Sequence, residues 1–315
     1  MQHEPQKNGW TFVHMHAWSR YFNMCRRHIA IILALTLCLP SSVIYAAAFE
    51  DGAFWYQVEE YQRAFPILQK LSNEGHPDAL FLLGQMYDGG KGVKADPQKA
   101  FHLWREAHKG GSLHATEALA FVTLMGRGTE NDSVRAFELF LDAGMRGSKE
   151  AMENLGLLFE TGTGTGTIQN YRKSVYWYTA AVEAGDVSAR LPLARMLYEG
   201  TGTKRDLNKA AALFTSLATL GSGEAQFELA RMYQRGEGVP KDLMLAYMWL
   251  KIAIGELSQS PYLKTKAEAI SLFTKIESDL DEGKLIQAKN LANICKGTVY
   301  QRCLVHSSFN PWKNK

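Results

Sequence analysis

Five alanines, Ala79, Ala115, Ala151, Ala189 and Ala225, fall 36, 36, 38 and 36 residues apart. A period of that length constrains the fold more than any single motif, because it marks supersecondary units that bury their apolar faces on one another. Four residues after each alanine stands a leucine: Leu83, Leu119, Leu155, Leu193 and Leu229. A small residue follows each: Gly84, Ala120, Gly156, Ala194 and Ala230. Paired glycines come next: Gly90 and Gly92, Gly126 and Gly128, Gly162 and Gly164, Gly200 and Gly202, Gly236 and Gly238. Each unit then offers a helix-starting residue, Asp96, Asp132, Asn170, Asp206 or Asp242, of the type that accepts hydrogen bonds from the free amides of a first turn. Bulky residues sit at Trp104, Phe140, Tyr178, Phe214 and Leu250, and Gly111, Gly147, Gly185 and Gly221 stand where a glycine ends a helix.

The unit is therefore two antiparallel helices joined by a Gly-x-Gly turn. Small residues bring the two helices close, while leucines and aromatics fill the space between neighbouring pairs. One pair cannot bury its apolar face alone, so the pairs stack into a solenoid. The ends fit a capped array. Residues 49–78 read as an N-terminal capping half-repeat, with Ala64 and Gly75 in second-helix register, and 79–256 as the five repeats. Residues 257–315 read as a C-terminal cap and tail: a helix over 262–280, then one capped by Asp281 that carries Leu285, Ala288, Leu291 and Ala292 at helical spacing.

The pattern A-x-x-x-L-G-x-x-Y-x-x-G-x-G over Ala79–Gly92, followed by D-x-x-K-A over Asp96–Ala100, resembles the Sel-one-like repeat family, a relative of the tetratricopeptide repeats. The resemblance spans residues 50–256. It departs from the family at Thr123 and Leu197, where tyrosine is favoured, and at Pro192, which marks either a kink or a late helix start. The resemblance implies an all-α, right-handed superhelical solenoid of antiparallel helix pairs with C-terminal capping helices. It also implies a non-catalytic adaptor or scaffold of the bacterial cell envelope, with a protein or peptide partner on the concave face. Two other functions stay open: a cell-wall or β-lactam-related hydrolase, and a regulatory subunit of a membrane complex. The hydrolytic members are rich in paired cysteines within their repeats, and this chain has no cysteine there.

Ahead of the repeats, Arg26, Arg27 and His28 precede the apolar run 29–39, Pro40 breaks it, and Ala46–Ala48 follow. Basic segment, short apolar run and small residues together predict a signal peptide over 1–48, cleaved after Ala48. The run of 11 apolar residues is short for a membrane span. An uncleaved anchor is the other reading, and either Met1 or Met24 can be the start. An exported protein is expected, periplasmic or secreted, with no membrane span after cleavage. The formal net charge is +3, and Lys7, Arg20, Arg26, Arg27 and Glu4 leave with the signal, so the remainder is near neutral and shows no nucleic-acid-binding excess. Cys25 and Cys38 lie in the signal, which leaves Cys295 and Cys303 as a predicted disulfide.

Chemistry-bearing motifs are sparse. There is no phosphate-loop, nucleophile-elbow or H-E-x-x-H pattern. His102, His108 and His114 are spaced by six and do not share a helix face. No catalytic residue, metal site or cofactor is predicted. The run FETGTGTGTIQN over 159–170 suggests a phosphate cradle, but Gly162 and Gly164 fall on the turn every unit has. Two extra residues between Gly164 and Asn170 account for the spacing of 38, so the run reads as a lengthened turn between helices.

In tetratricopeptide-like solenoids the first helix of each pair lines the concave side. Residues two and six after each alanine share a face there: Phe81 and Gln85, Glu117 and Phe121, Glu153 and Leu157, Leu191 and Arg195, Phe227 and Arg231. This stripe varies between units, with acids in the middle and arginines toward the C-terminus. It fits a mixed solvated face, in part packed on the neighbouring unit, or a partner-binding groove with aromatic and arginine anchors.

Overall fold

The computed structural model describes residues 41–162, 169–257 and 263–297, and every regular element among them is an α-helix. The chain divides into two compact units, 1–110 and 111–315.

The first unit holds α1 (Ser41–Gln57), α2 (Tyr61–Asn73), α3 (Pro77–Gly89) and α4 (Pro97–Lys109), each packed on the next. Its core is Ala64, Leu68, Leu71, Ala79, Leu83 and Met86. The opening element is a full helix pair where the sequence predicts a half-repeat. Gly52 of α1 faces Leu68 so closely that an added Cβ would lie 3.0 Å from Leu68 Cδ2. The pair escapes sequence reading because it lacks the Gly-x-Gly turn; Glu59 closes a short turn at φ 64°. Helix α1 runs through Ala48, the expected processing position. Ala48 and Phe49 pack against the core, and the Phe49 ring stacks on His76 with centroids 4.7 Å apart. The predicted basic segment, apolar run and Cys25 and Cys38 lie outside the described residues.

The second unit runs through α5 (Leu113–Met125), α6 (Ser133–Met145), α7 (Lys149–Thr161), α8 (Tyr171–Glu183), α9 (Arg190–Glu199), α10 (Leu207–Thr219), α11 (Gly223–Arg235) and α12 (Leu243–Glu256). They form four antiparallel pairs, and each second helix packs on the first helix of the next pair. Helices α13 (Leu263–Asp279) and α14 (Glu282–Gly297) both dock on α12. The Asp281 carboxylate accepts from Lys284 N at 2.9 Å to start α14.

The repeat spacing has a cap at both helix starts. Asp96, Asp132, Asn170, Asp206 and Asp242 each accept from a backbone N–H three residues on, at 2.9–3.0 Å. A second series, which the sequence pattern also carries, lies three residues before each alanine. His76, Ser112, Ser148, Asp186 and Ser222 accept from the N–H of Ala79, Ala115, Ala151, Ala189 and Ala225. Asp186 is set before a helix that begins only at Arg190, which puts Pro192 in the first turn. Pro192 therefore marks a late start, where its missing N–H costs nothing.

Helix–helix distance within a pair is tuned by size. Where the second helix carries Trp104 or Tyr178, the first carries Gly84 or Gly156, and a Cβ on Gly156 would lie 2.5 Å from the Tyr178 ring. Where the second helix carries Phe140, Phe214 or Leu250, the first carries alanine. Successive units are keyed together at the second glycine of the turn. Gly92, Gly202 and Gly238 have φ of 70–72° and lie against the backbone of Tyr61, Tyr171 and Leu207, the first residues of the preceding second helices. A side chain there meets both a left-handed backbone and a neighbouring main chain. The predicted lengthened turn at Gly164–Gly166 lies outside the described residues.

Helix α12 is apolar around most of its circumference and accordingly mostly buried, with Lys251 at the exposed edge. Leu245, Tyr247, Met248, Trp249, Leu250 and Ile252 are each at most 4% exposed. Met248 Sδ lies 3.3 Å from Cys295 Sγ of α14, which is also buried. Cys303, the expected disulfide partner of Cys295, lies outside the described residues. Among the described residues no helix is long and apolar enough to cross a membrane.

Candidate functional site

The predicted stripe is split by the structure into parts of different character. In the first unit Phe81 and Gln85 are half-buried on α3, and the Phe81 carbonyl accepts from Trp104 Nε1 at 3.1 Å. The remaining stripe residues belong to the second unit.

On α5, Glu117, Phe121 and Met125 are spaced by four and share one helix face. Phe121 is 52% exposed and Met125 64%. Glu117 is half-buried, with His114 Nδ1 3.5 Å from its carboxylate. On α7, Glu153 and Leu157 repeat the arrangement, and Leu157 is 49% exposed. Two successive first helices thus present an acid followed, one turn later, by an uncovered apolar side chain.

The Glu153 carboxylate is half-buried and has no hydrogen-bond or ion-pair partner among the described residues. Burial raises its pKa above the ordinary range, and the negative charges of Asp186 and Glu150 push it the same way. A carboxyl raised in the folded state leaves stability intact below the ordinary carboxylate range and costs stability as pH rises through the folded value. Glu153→Gln is therefore expected to raise Tm at pH 7, with the gain shrinking to nothing as pH falls to about 4. Thermal melts of both proteins across that window check it; a gain that is constant with pH contradicts it.

Toward the C-terminus the stripe is closed by the chain itself. Leu191 is half-buried against the core. Phe227, expected on the open face, is only 4% exposed and belongs to the core cluster that α12, α13 and α14 complete. The correction has a physical reason: α11, which carries Phe227, touches the capping helix α13 at the end of the array. Arg231 lies over the Phe227 ring, 5.6 Å from its centroid, and its Nη1 is 2.9 Å from Glu228 Oε2. Arg195 Nη2 is 3.2 Å from Glu224 Oε1. Burial pushes the Glu228 carboxyl up, and Arg231 and Arg195 offset that. The stripe reading missed both: Glu224 lies just before its repeat alanine, a register that also carries Asp78 and Glu150, and Glu228 at one where no other unit has an acid.

A third polar group holds the turn of the last repeat. The Tyr198 phenol donates to Glu237, and Arg205 Nη2 lies 3.2 Å from the same carboxylate. Chiefly through the Tyr198 hydrogen bond, Glu237 is held below the usual carboxylate range. Arg205 Nε also donates to the Tyr198 carbonyl at 2.7 Å, as Gln169 Nε2 does to the Glu160 carbonyl at 2.8 Å and Asn131 to that of Leu124. These side chains cap the ends of first helices, a structural role. Among the described residues no group of three or more His, Cys, Asp or Glu side chains converges to hold a metal ion.

Comparison with known proteins agrees with the repeat register. The chain matches the Sel1 repeat family at 77–112, 114–148, 149–186, 189–222 and 223–254, more than half of its length. A Sel1 repeat protein from Oxalobacter formigenes is 27% identical, with a TM-score of 0.62 over 78% of this chain and 99% of that one. A protective antigen of uropathogenic Escherichia coli strains, described as displaying an SLR fold, is 19% identical with a TM-score of 0.52. That match covers 84% of this chain and spans 64% of the antigen. No curated protein gives a significant match to the chain.

Proposed function

Because the chain belongs to the Sel1 repeat family, whose members generally mediate protein–protein interaction, we propose that it is a non-catalytic adaptor of the bacterial cell envelope, reached by export through the N-terminal segment. It captures a protein or peptide partner on the first-helix face of its second unit. The observation that carries this function is the pair Phe121 and Leu157, about half exposed at the same register of successive repeats. Large side chains left uncovered at the same register of successive first helices supply anchors of the kind interfaces use. Stripe positions Glu117, Glu153, Leu191 and Arg195 frame the two anchors, while Phe227 supports the wall from within. A disulfide between Cys295 and Cys303 would tie the tail to α14 and hold the cap on the array.

Site-specific photo-crosslinkers at Phe121 and Leu157 test the function in the native cell. A control crosslinker goes at Tyr176, which is 65% exposed on α8, a second helix. A defined partner captured at the first two positions and not at Tyr176 is expected. Equal capture at all three positions, or at none, contradicts the assignment.

A further inference from the structure

The acidic and basic parts of the stripe differ in how their charge is balanced. Arg195 and Arg231 lie against Glu224 and Glu228 of their own chain, so that part asks nothing of a ligand. In the middle of the stripe Glu153 has no ion-pair partner among the described residues, and Asp186 and Glu150 add negative charge beside it. A half-buried carboxylate without a counter-ion is costly to keep, and a basic group brought by a partner removes that cost. One turn further along the same helix face lies Leu157, and Phe121 and Met125 stand at the matching place on α5. Charge and apolar surface are therefore adjacent and arranged in the same order on both helices.

We propose that this face takes a cationic–apolar peptide segment, in which a lysine or arginine side chain reaches Glu153 while a neighbouring aliphatic or aromatic side chain packs on Leu157 and Phe121. The assignment rests on the partner-binding function above and names the chemistry of the partner. Glu117 gives the same preference one repeat earlier, in a weaker form because His114 already approaches it.

Two end-capped fluorescent peptides of equal length test it, one alternating lysine with leucine and the other glutamate with leucine. Binding to the full chain is read by fluorescence anisotropy. The lysine peptide is expected to bind at least about tenfold more tightly than the glutamate peptide, a difference that high salt reduces. Glu153→Lys is expected to weaken the lysine peptide by about tenfold and to improve the glutamate peptide. Glu153→Gln, which is isosteric, is expected to give an intermediate loss, and a thermal melt of each variant confirms that it is folded. Equal affinity for the two peptides, no measurable binding of either, or an unchanged preference in Glu153→Lys overturns the proposal. The crosslinking experiment separates the two levels. If Phe121 and Leu157 still capture a defined partner while the charge preference fails, the docking face stands and the chemistry assigned to its ligand falls. If capture fails as well, the function itself falls.

Discussion

Trp249→Ala is expected to cost about 3–5 kcal/mol, the range for removing a large aromatic from a packed interior. Trp249 is 1% exposed and lies on α12, which packs on α11 and also receives α13 and α14. The lost volume cannot be refilled from solvent, because Trp249 is buried within this packing. Contacts in a stacked array run mainly between neighbours, so the damage should concentrate at the C-terminal end of the second unit. Hydrogen exchange should show α12, α13 and α14 losing protection well before α5 and α6. Tyr176→Ala is the control, since Tyr176 is also an aromatic on a second helix but is 65% exposed. It should stay within about 0.5 kcal/mol of the parent. Comparable losses in the two variants would mean that α12 is not the keystone its burial indicates.

The second large effect concerns the fit between paired helices. Gly156→Ala places a methyl group 2.5 Å from the Tyr178 ring. Overpacking of this kind costs about 1–3 kcal/mol. The ring has little room to retreat, because its hydroxyl donates to Glu160 at 2.7 Å. Burial, together with that hydrogen bond, raises the Tyr178 pKa, so the phenol stays protonated and the donor stays in place. Tyr178→Phe removes the tether at a cost of about 1–2 kcal/mol. Combined, the two changes recreate the alanine–phenylalanine pairing of Ala120 with Phe140 and of Ala194 with Phe214. The double variant is therefore expected to be at least about 1 kcal/mol more stable than the sum of the single losses predicts. Strict additivity in denaturant melts would show that the ring is not held by Glu160.

Most of the fold is legible in the sequence, because each unit solves the same packing problem with the same residue types. The alanine register, the caps at second-helix starts and the paired glycines all recur, and their spacing places the two helices of each repeat. Reading fails where the array ends. The α1–α2 pair replaces the Gly-x-Gly turn with one closed by Glu59, and so drops out of register. At the other end α13 meets α11, which carries Phe227, and that ring, exposed by analogy with Phe121, belongs to the core. The site is less legible than the fold for a related reason. Exposure at one register can be extrapolated from the period, but charge balance cannot. Glu224, at a register shared with Asp78 and Glu150, and Glu228, at one where no other unit has an acid, turn two arginines from ligand-seeking groups into paired ones. No such residue appears opposite Glu153, and that asymmetry is visible only once the helices are assembled.

A stack of similar faces has no intrinsic stopping point: the surface that receives one pair is much like the surface the pair then offers. Helix α12 offers Tyr247 and Met248 to what comes next, and in this chain they meet Phe273 of α13 and Cys295 of α14. The C-terminal helices therefore act as a terminator of growth as well as a brace. Without them, the last repeat would present an uncovered apolar end, the kind of surface through which repeat arrays associate. Two helices that take no part in the stripe thus close the apolar end of the stack.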